Sequence, residues 1–348
     1  MNRGFPSSLD GAPEAGGPER IELLDCLRAF GALAVVFGHS LPRLAPGGPC
    51  GVSVFFALSG YLIARILMRK GMMTPRNIGI FLVRRIARIY PMYFLSVVGM
   101  TAYFFLFDAR RFGIVAGGGG ERTFFGILTF QYTASEWVGY GFGVLWTLIA
   151  ECGFYVSFPF ILWIGLATKK VFHVLGIVAL ISVCAKISVL LGVSVSSVSL
   201  LYYDHFILGA LVAVSVGMDA VPHVLKTKWL GILGFALMIL TVAIPYPGTR
   251  NLAWYLLSLL ASSGTAMVIL HHHLFGTTIH MPVAAFLGRI SYSIYLVHAI
   301  VLDAFIGLRL IASIPLFLVV VVGISTLTAR YIEQPVIRFV HKIARFKE

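Results

Sequence analysis

The chain alternates long apolar runs with short polar, mostly basic, connections. Runs near 20 residues occur at 21–41, 51–68, 89–107, 142–166, 171–192, 199–217, 229–245, 252–270, 288–307 and 310–332. A helix of about 20 apolar residues matches the thickness of a bilayer's hydrocarbon core. The pattern therefore predicts an all-α, polytopic transmembrane helical bundle of about ten spans. The apolar piece 123–132 is too brief to span and reads as re-entrant or interfacial, with Gly117 to Gly120 as a flexible loop beside it. Residues 1–18 are rich in Gly, Pro and Ser and predict a disordered tail; 19–336 form the membrane domain, and 337–348 a basic tail. The first apolar stretch follows a polar tail and is too long for the h-region of a cleavable signal peptide. No internal repeat is visible, which counts against transporters built from repeats.

Composition strengthens this picture. Hydrophobic residues make up 59% of the 348 and charged residues 12%, with a mean hydropathy of +0.92. A soluble domain carries about twice that charged fraction. The net charge of +13 would suit nucleic acid in a soluble protein, but here it marks loops on one side of a membrane. Arg69, Lys70, Arg76, Arg84, Arg85 and Arg88, then Lys169 and Lys170, Lys226 and Lys228, and Arg338, Lys342, Arg345 and Lys347 all fall on one side of a ten-span topology. The other side holds Arg43, Arg110, Arg111, Arg122, Arg250 and Arg309. The positive-inside rule then puts both termini in the cytoplasm. The four cysteines (Cys26, Cys50, Cys152 and Cys184) show neither metal spacing nor a disulfide framework.

Ionisable side chains inside spans are costly and mark function by default. Arg28 and His39 lie eleven residues apart in the first span. At about 100° per residue they share a helix face, separated by roughly 16 Å of rise. Arg28 also has Asp25 three residues back on that face, so a structural ion pair and ligand binding are both open. Glu151 lies near the middle of the fourth span and must be protonated or paired, with a Tyr or Lys186 as structural partners. Arg85 and Arg88 share a face at the basic boundary of the third span. Ser59, Gly60 and Tyr61 lie in the second span, where small residues commonly allow close helix packing. No Gly-x-Ser-x-Gly elbow surrounds Ser59, which argues against a serine nucleophile. Trp146 reads as an interfacial or packing aromatic. The run HHHLFGTTIH (271–280) has no acidic or Cys partner nearby, so no metal is expected. Asp204 and His205 open the sixth span where an acceptor could meet them, and His298 and Asp303 lie in the ninth.

Six stretches, in order along the chain, resemble the acyltransferase-3 family of integral membrane acyltransferases. They are LLDCLRAFGALAVVFGH with Arg28 and His39, GVSVFFALSGYLI (51–63), FLVRRIARIYPMYF (81–94), WTLIAECGFYVSFP (146–159), GRISYSIYLVH (288–298) and IEQP (332–335). The resemblance covers nearly the whole chain. Ser53 departs from it, standing where the family often has Asp. No appended esterase-like domain is visible, so the chain looks like the membrane module alone.

The resemblance implies transfer of an acyl group, commonly acetyl from acetyl-CoA, to a hydroxyl of a surface polysaccharide, lipopolysaccharide or secreted glycan at a bacterial inner membrane. Some relatives acylate small molecules such as macrolides. His39 is then the expected general base, since neutral imidazole is suited to take a hydroxyl proton. Glu151 is expected to orient it, as a carboxylate does in triad-like sites. Arg28, Arg85 and Arg88 are expected to bind the acyl-CoA donor, whose phosphates suit guanidinium forks. Ser59, Tyr61, Trp146 and His298 are expected to contact substrate. A competing class is a glycolipid or solute transporter that uses the same buried charges without chemistry. The expected partners are acyl-CoA, a carbohydrate or glycolipid acceptor and membrane lipid; no nucleic acid is expected.

Overall fold

The computed structural model describes residues 21–110, 112, 143–193, 195, 198–245, 251–277, 280–307 and 313–345. Among these residues the chain is all-α, with eleven helices: α1 (Glu22–Ser40), α2 (Gly51–Leu67), α3 (Pro75–Phe107), α4 (Trp146–Ala167), α5 (Val171–Leu190), α6 (Val198–Gly217), α7 (Leu230–Ala243), α8 (Leu252–Phe275), α9 (Pro282–Arg289), α10 (Ser291–Gly307) and α11 (Ile314–Ile343). The apolar piece 123–132 and the glycine run lie outside the described residues.

Eight helices among the described residues are long and apolar enough to cross a membrane, and α9 with α10, bent by 71°, makes a ninth if taken as one broken span. The expectation of ten falls short at 229–245, where α7 has 14 residues and rises only about 21 Å against a core of about 30 Å. Pro245 sets that limit. The residue before a proline is pushed out of the α region, and Ile244 is extended with ψ 133°.

Two helices run further than their apolar stretches suggest. α3 begins at Pro75, where Thr74 caps the helix by accepting a hydrogen bond from the Asn77 backbone N–H, and it carries its four arginines on regular helix. α11 passes through a π-helical turn at Ala329–Glu333 before finishing at Ile343.

The core gathers around α1, α2 and α6; α5 and α11 are the most peripheral spans. α2 packs most extensively on α6. A Cβ added at Gly60 would sit 1.8 Å from the Phe206 carbonyl oxygen, and one at Gly209 1.8 Å from that of Ala57. The two backbones therefore touch directly, as small residues allow in membrane bundles. Gly288 plays the same part where α9 rests on α1, with its Cβ position 1.8 Å from the Asp25 carbonyl oxygen. These contacts fix α2 beside α6 and α9, with the start of α10 that follows it, beside α1, and with them the polar side chains that follow.

Candidate active site

A cavity of about 70 Å³ lies among α1, α2, α3, α4 and α10. Each helix brings a polar group to it. Arg28 comes from α1, Ser59 from α2, Arg85 and Arg88 from α3, Thr147, Glu151 and Tyr155 from α4, and Ser291, Tyr292 and Tyr295 from α10. Apolar walls, including Phe55 and Leu148, enclose them. On α3 and on α4 the polar residues recur three or four apart, so one helix face turns inward.

The charges in this cavity are arranged in pairs. Arg28 Nη1 lies 2.9 Å from Asp25 Oδ1, and Asp25 is 2% exposed. Glu151 Oε1 accepts from Ser59 Oγ at 2.7 Å and from the Tyr155 hydroxyl. Arg85 stacks over the rings of Phe81 (5.3 Å) and Tyr155 (5.5 Å) and lies in the field of Glu151. Arg88 lies in the field of Glu333 and Glu151. Glu333, at the end of the π-helical turn of α11, accepts from Ser293 Oγ at 3.0 Å. The Tyr292 hydroxyl donates to the Ile89 carbonyl at 2.7 Å, tying α10 to α3 one residue from Arg88.

His39 stands apart from this cavity. It sits in the last turn of α1, and its Nδ1 is 3.1 Å from His298 Nε2, with the two rings stacked at 5.3 Å and 8°. The far nitrogen of His298 fixes the proton positions. His298 Nδ1 lies 3.2 Å from the Ile294 carbonyl, which can only accept, so Nδ1 carries the proton. Its Nε2 then accepts from His39 Nδ1–H. The chain of bonds leaves His39 Nε2 with a lone pair, the state a general base requires. His298 is fully buried, whereas His39 is exposed. Tyr295 joins the two regions. Its ring lines the cavity and lies 5.9 Å from that of His298, and its hydroxyl is held by Thr147 (3.0 Å) and the Val144 carbonyl (2.7 Å).

Several expected residues are arranged differently. Glu151 does not hydrogen-bond His39; its bonds go to Ser59 and Tyr155, and His298 supplies the partner of His39. Tyr61 does not line the cavity. Two residues on from Ser59 it is turned by about 200°, and its hydroxyl meets His273 Nε2 at 2.5 Å, with Arg65 Nη1 at 3.4 Å. Trp146 also lies off the cavity and packs against Phe56 and Tyr202. Asp204 and His205 are enclosed rather than open to an acceptor. Lys186 Nζ is 2.5 Å from Asp204 and 3.3 Å from His205 Nε2, Ser182 donates to Asp204 at 3.0 Å, and Ser262 pairs with His205 Nδ1 at 2.8 Å. This cluster clamps α5, α6 and α8 together.

Tyr155, Tyr292, Tyr295 and Glu333 are cavity residues or their neighbours that sequence reasoning passed over. Each lies within one of the six motifs, and the three tyrosines read first as packing because they stand in apolar spans. The residues 21–332 match the profile of the acyltransferase domain of the acyltransferase-3 family. The chain belongs to the acyltransferase-3 family. Among relatives of this acyltransferase-3 chain, "Putative peptidoglycan O-acetyltransferase YrhL" of Bacillus subtilis (strain 168) is 27% identical over 93% of the chain and 57% of its own length. "Putative O-acetyltransferase SACOL0978" of Staphylococcus aureus (strain COL) is 26% identical over 90% of the chain and 56% of its own length. The chain thus spans a little over half the length of these curated relatives. "Protein 2 in picA locus" of Rhizobium radiobacter is 41% identical over a shorter stretch, 25% of the chain and 47% of its own length. No solved structure matches.

Proposed function

We propose that this protein is a membrane O-acyltransferase of the inner membrane that moves an acetyl group from acetyl-CoA to a carbohydrate hydroxyl. The observation that carries the reading is the His39–His298 pair. An oriented imidazole with a free Nε2 lone pair, at the exposed end of a span, suits removal of a proton from an alcohol. The family and the printed names of its relatives support the same reaction class, and a peptidoglycan-like glycan is the favoured acceptor because one relative is so named.

In this reading the donor's arm enters through the arginine-lined cavity and its thioester reaches past Tyr295 to His39, with both termini of the chain on the donor's, cytoplasmic, side. Arg85 and Arg88 offer fixed N–H donors to its carbonyl groups, and Arg28 borders the same space. The acceptor hydroxyl approaches His39. Its oxygen attacks the thioester carbonyl carbon, the C–S bond breaks, and the hydroxyl proton passes to His39 Nε2. The CoA thiolate takes that proton from the His39 imidazolium and leaves as the thiol, which returns His39 to its neutral form, so atoms and charge balance. Glu151, bonded by Ser59 and Tyr155, holds the cavity's arginines in register and acts on the donor side, not on His39.

The test is a purified-protein assay in nanodiscs. Acetyl-CoA with a peptidoglycan fragment should release free thiol and give an O-acetylated glycan in equal amounts, and His39→Ala should abolish both. Wild-type protein that binds and moves the glycan without forming an ester would place it in the transporter class.

A further inference from the structure

The cavity's own charges are matched. Three guanidinium groups (Arg28, Arg85 and Arg88) sit in the fields of three carboxyl groups (Asp25, Glu151 and Glu333). A multiply charged phosphate placed here would face those carboxylates in a poorly screened interior, where like charges repel strongly. The cavity of about 70 Å³ suits the narrow acyl end of a donor and not its nucleotide. The phosphates therefore need another site.

Two helix ends supply one. α3 has 33 residues and α11 has 30, so they are about 50 Å and about 45 Å long against a hydrocarbon core of about 30 Å. Each overshoots by several turns. Arg84 Nε donates to the Ala344 carbonyl at 2.9 Å, which puts the start of α3 and the end of α11 side by side at one edge of the bundle. The last stretch of α11, Gln334–Ile343, is amphipathic, with exposed Arg338 and Lys342 beside exposed Phe339 and Ile343. Arg345 and Arg76 are also exposed. Neither 68–107 nor 334–345 contains a single Asp or Glu. A basic shelf whose two stretches, 68–107 and 334–345, carry no Asp or Glu thus adjoins the charge-matched cavity.

We infer that this shelf, built on Arg338, Lys342, Arg345, Arg84 and Arg76, binds the phosphate-bearing nucleotide end of the acyl-CoA donor. The inference rests on acyl-CoA being the donor. The spacing fits, because twelve residues of α3 separate Arg76 from Arg88, about 18 Å of rise, a span that an extended phosphopantetheine arm covers. The division of labour follows: outer cations hold phosphates, and inner arginines meet the uncharged thioester end. Anionic lipid headgroups offer the same phosphate chemistry, and the experiment separates the two sources.

The test compares wild type with the triple variant Arg338→Gln/Lys342→Gln/Arg345→Gln in nanodiscs of zwitterionic phosphatidylcholine. The donors are acetyl-CoA and acetyl-pantetheine, which lacks the nucleotide. Three exposed charge contacts together amount to about tenfold, so the wild-type preference for acetyl-CoA, as a ratio of kcat/KM values, should collapse by about tenfold through KM. An unchanged ratio overturns the inference, as does an equal loss with both donors. An effect that appears only when anionic phosphatidylglycerol is added assigns the shelf to lipid and also overturns it. Binding of adenosine 3′,5′-bisphosphate is measured in parallel without turnover. Binding that weakens in the triple variant supports the shelf, and no binding to wild type contradicts it. A protein that turns over neither donor contradicts the acyltransferase reading instead, while nucleotide binding still decides the shelf.

Discussion

Replacing His298 with Ala removes the one acceptor that orients His39. The 3.1 Å N–H···N bond contributes about 1 kcal/mol. Holding the His39 ring in one rotamer and one tautomer is worth about another 1.5 kcal/mol. Together, about 2.5 kcal/mol corresponds to about a 70-fold fall in kcat. His298→Gln places an amide oxygen near the position of Nε2, so it should restore a large part of that loss, whereas Ala cannot. The assay is steady-state thiol release with acceptor in excess. The double variant His39→Ala/His298→Ala carries the sharper expectation. If His298 acts only through His39, the double variant should be no slower than His39→Ala alone, because residues that work as a unit are not additive. Additive losses, or a His298→Gln variant as slow as His298→Ala, would refute the orienting role.

Other perturbations read the same framework. Gly60→Val forces a Cβ within 1.8 Å of the Phe206 carbonyl and should part α2 from α6, costing at least about 3 kcal/mol as a lowered Tm. Lys186→Met leaves Asp204 buried without its cation and should cost about 3–5 kcal/mol, and the double variant Lys186→Met/Asp204→Leu should regain most of it, as thermal unfolding in detergent would show. Glu151→Gln keeps an oxygen for Ser59 and Tyr155 but removes one of three carboxylates in the arginine cluster. It should lower Tm by the equivalent of about 3 kcal/mol and abolish detectable acetyl transfer.

Hydropathy alone exposed the all-α membrane architecture, because a span must be apolar along its whole length. Its ends were less legible. Basic residues masked the first turns of α3, and Pro245 cut α7 short in a way that average apolarity does not register. The site was legible as a set of expensive residues and not as a set of contacts. Arg28, Arg85, Arg88, Ser59 and Glu151 all reach one cavity, as intramembrane charge suggests. The partner of His39 was not readable, since 259 residues separate it from His298 and only the packing of α10 on α1 brings them together. Tyr61 lies off the cavity for a simpler reason. A residue two places from Ser59 belongs to the opposite side of a helix, and adjacency in a motif hid that turn.

The central claim is that His39 takes the proton from an acceptor hydroxyl while the donor sits in the arginine cavity. The most direct measurement is single-turnover acetyl transfer from acetyl-CoA to a glycan fragment by wild type and by His39→Ala, with acetyl-CoA binding measured on the same samples. The account predicts unchanged acetyl-CoA affinity in His39→Ala and a transfer rate reduced by about 100-fold or more. Transfer at the wild-type rate in His39→Ala, with acetyl-CoA still bound, would contradict it.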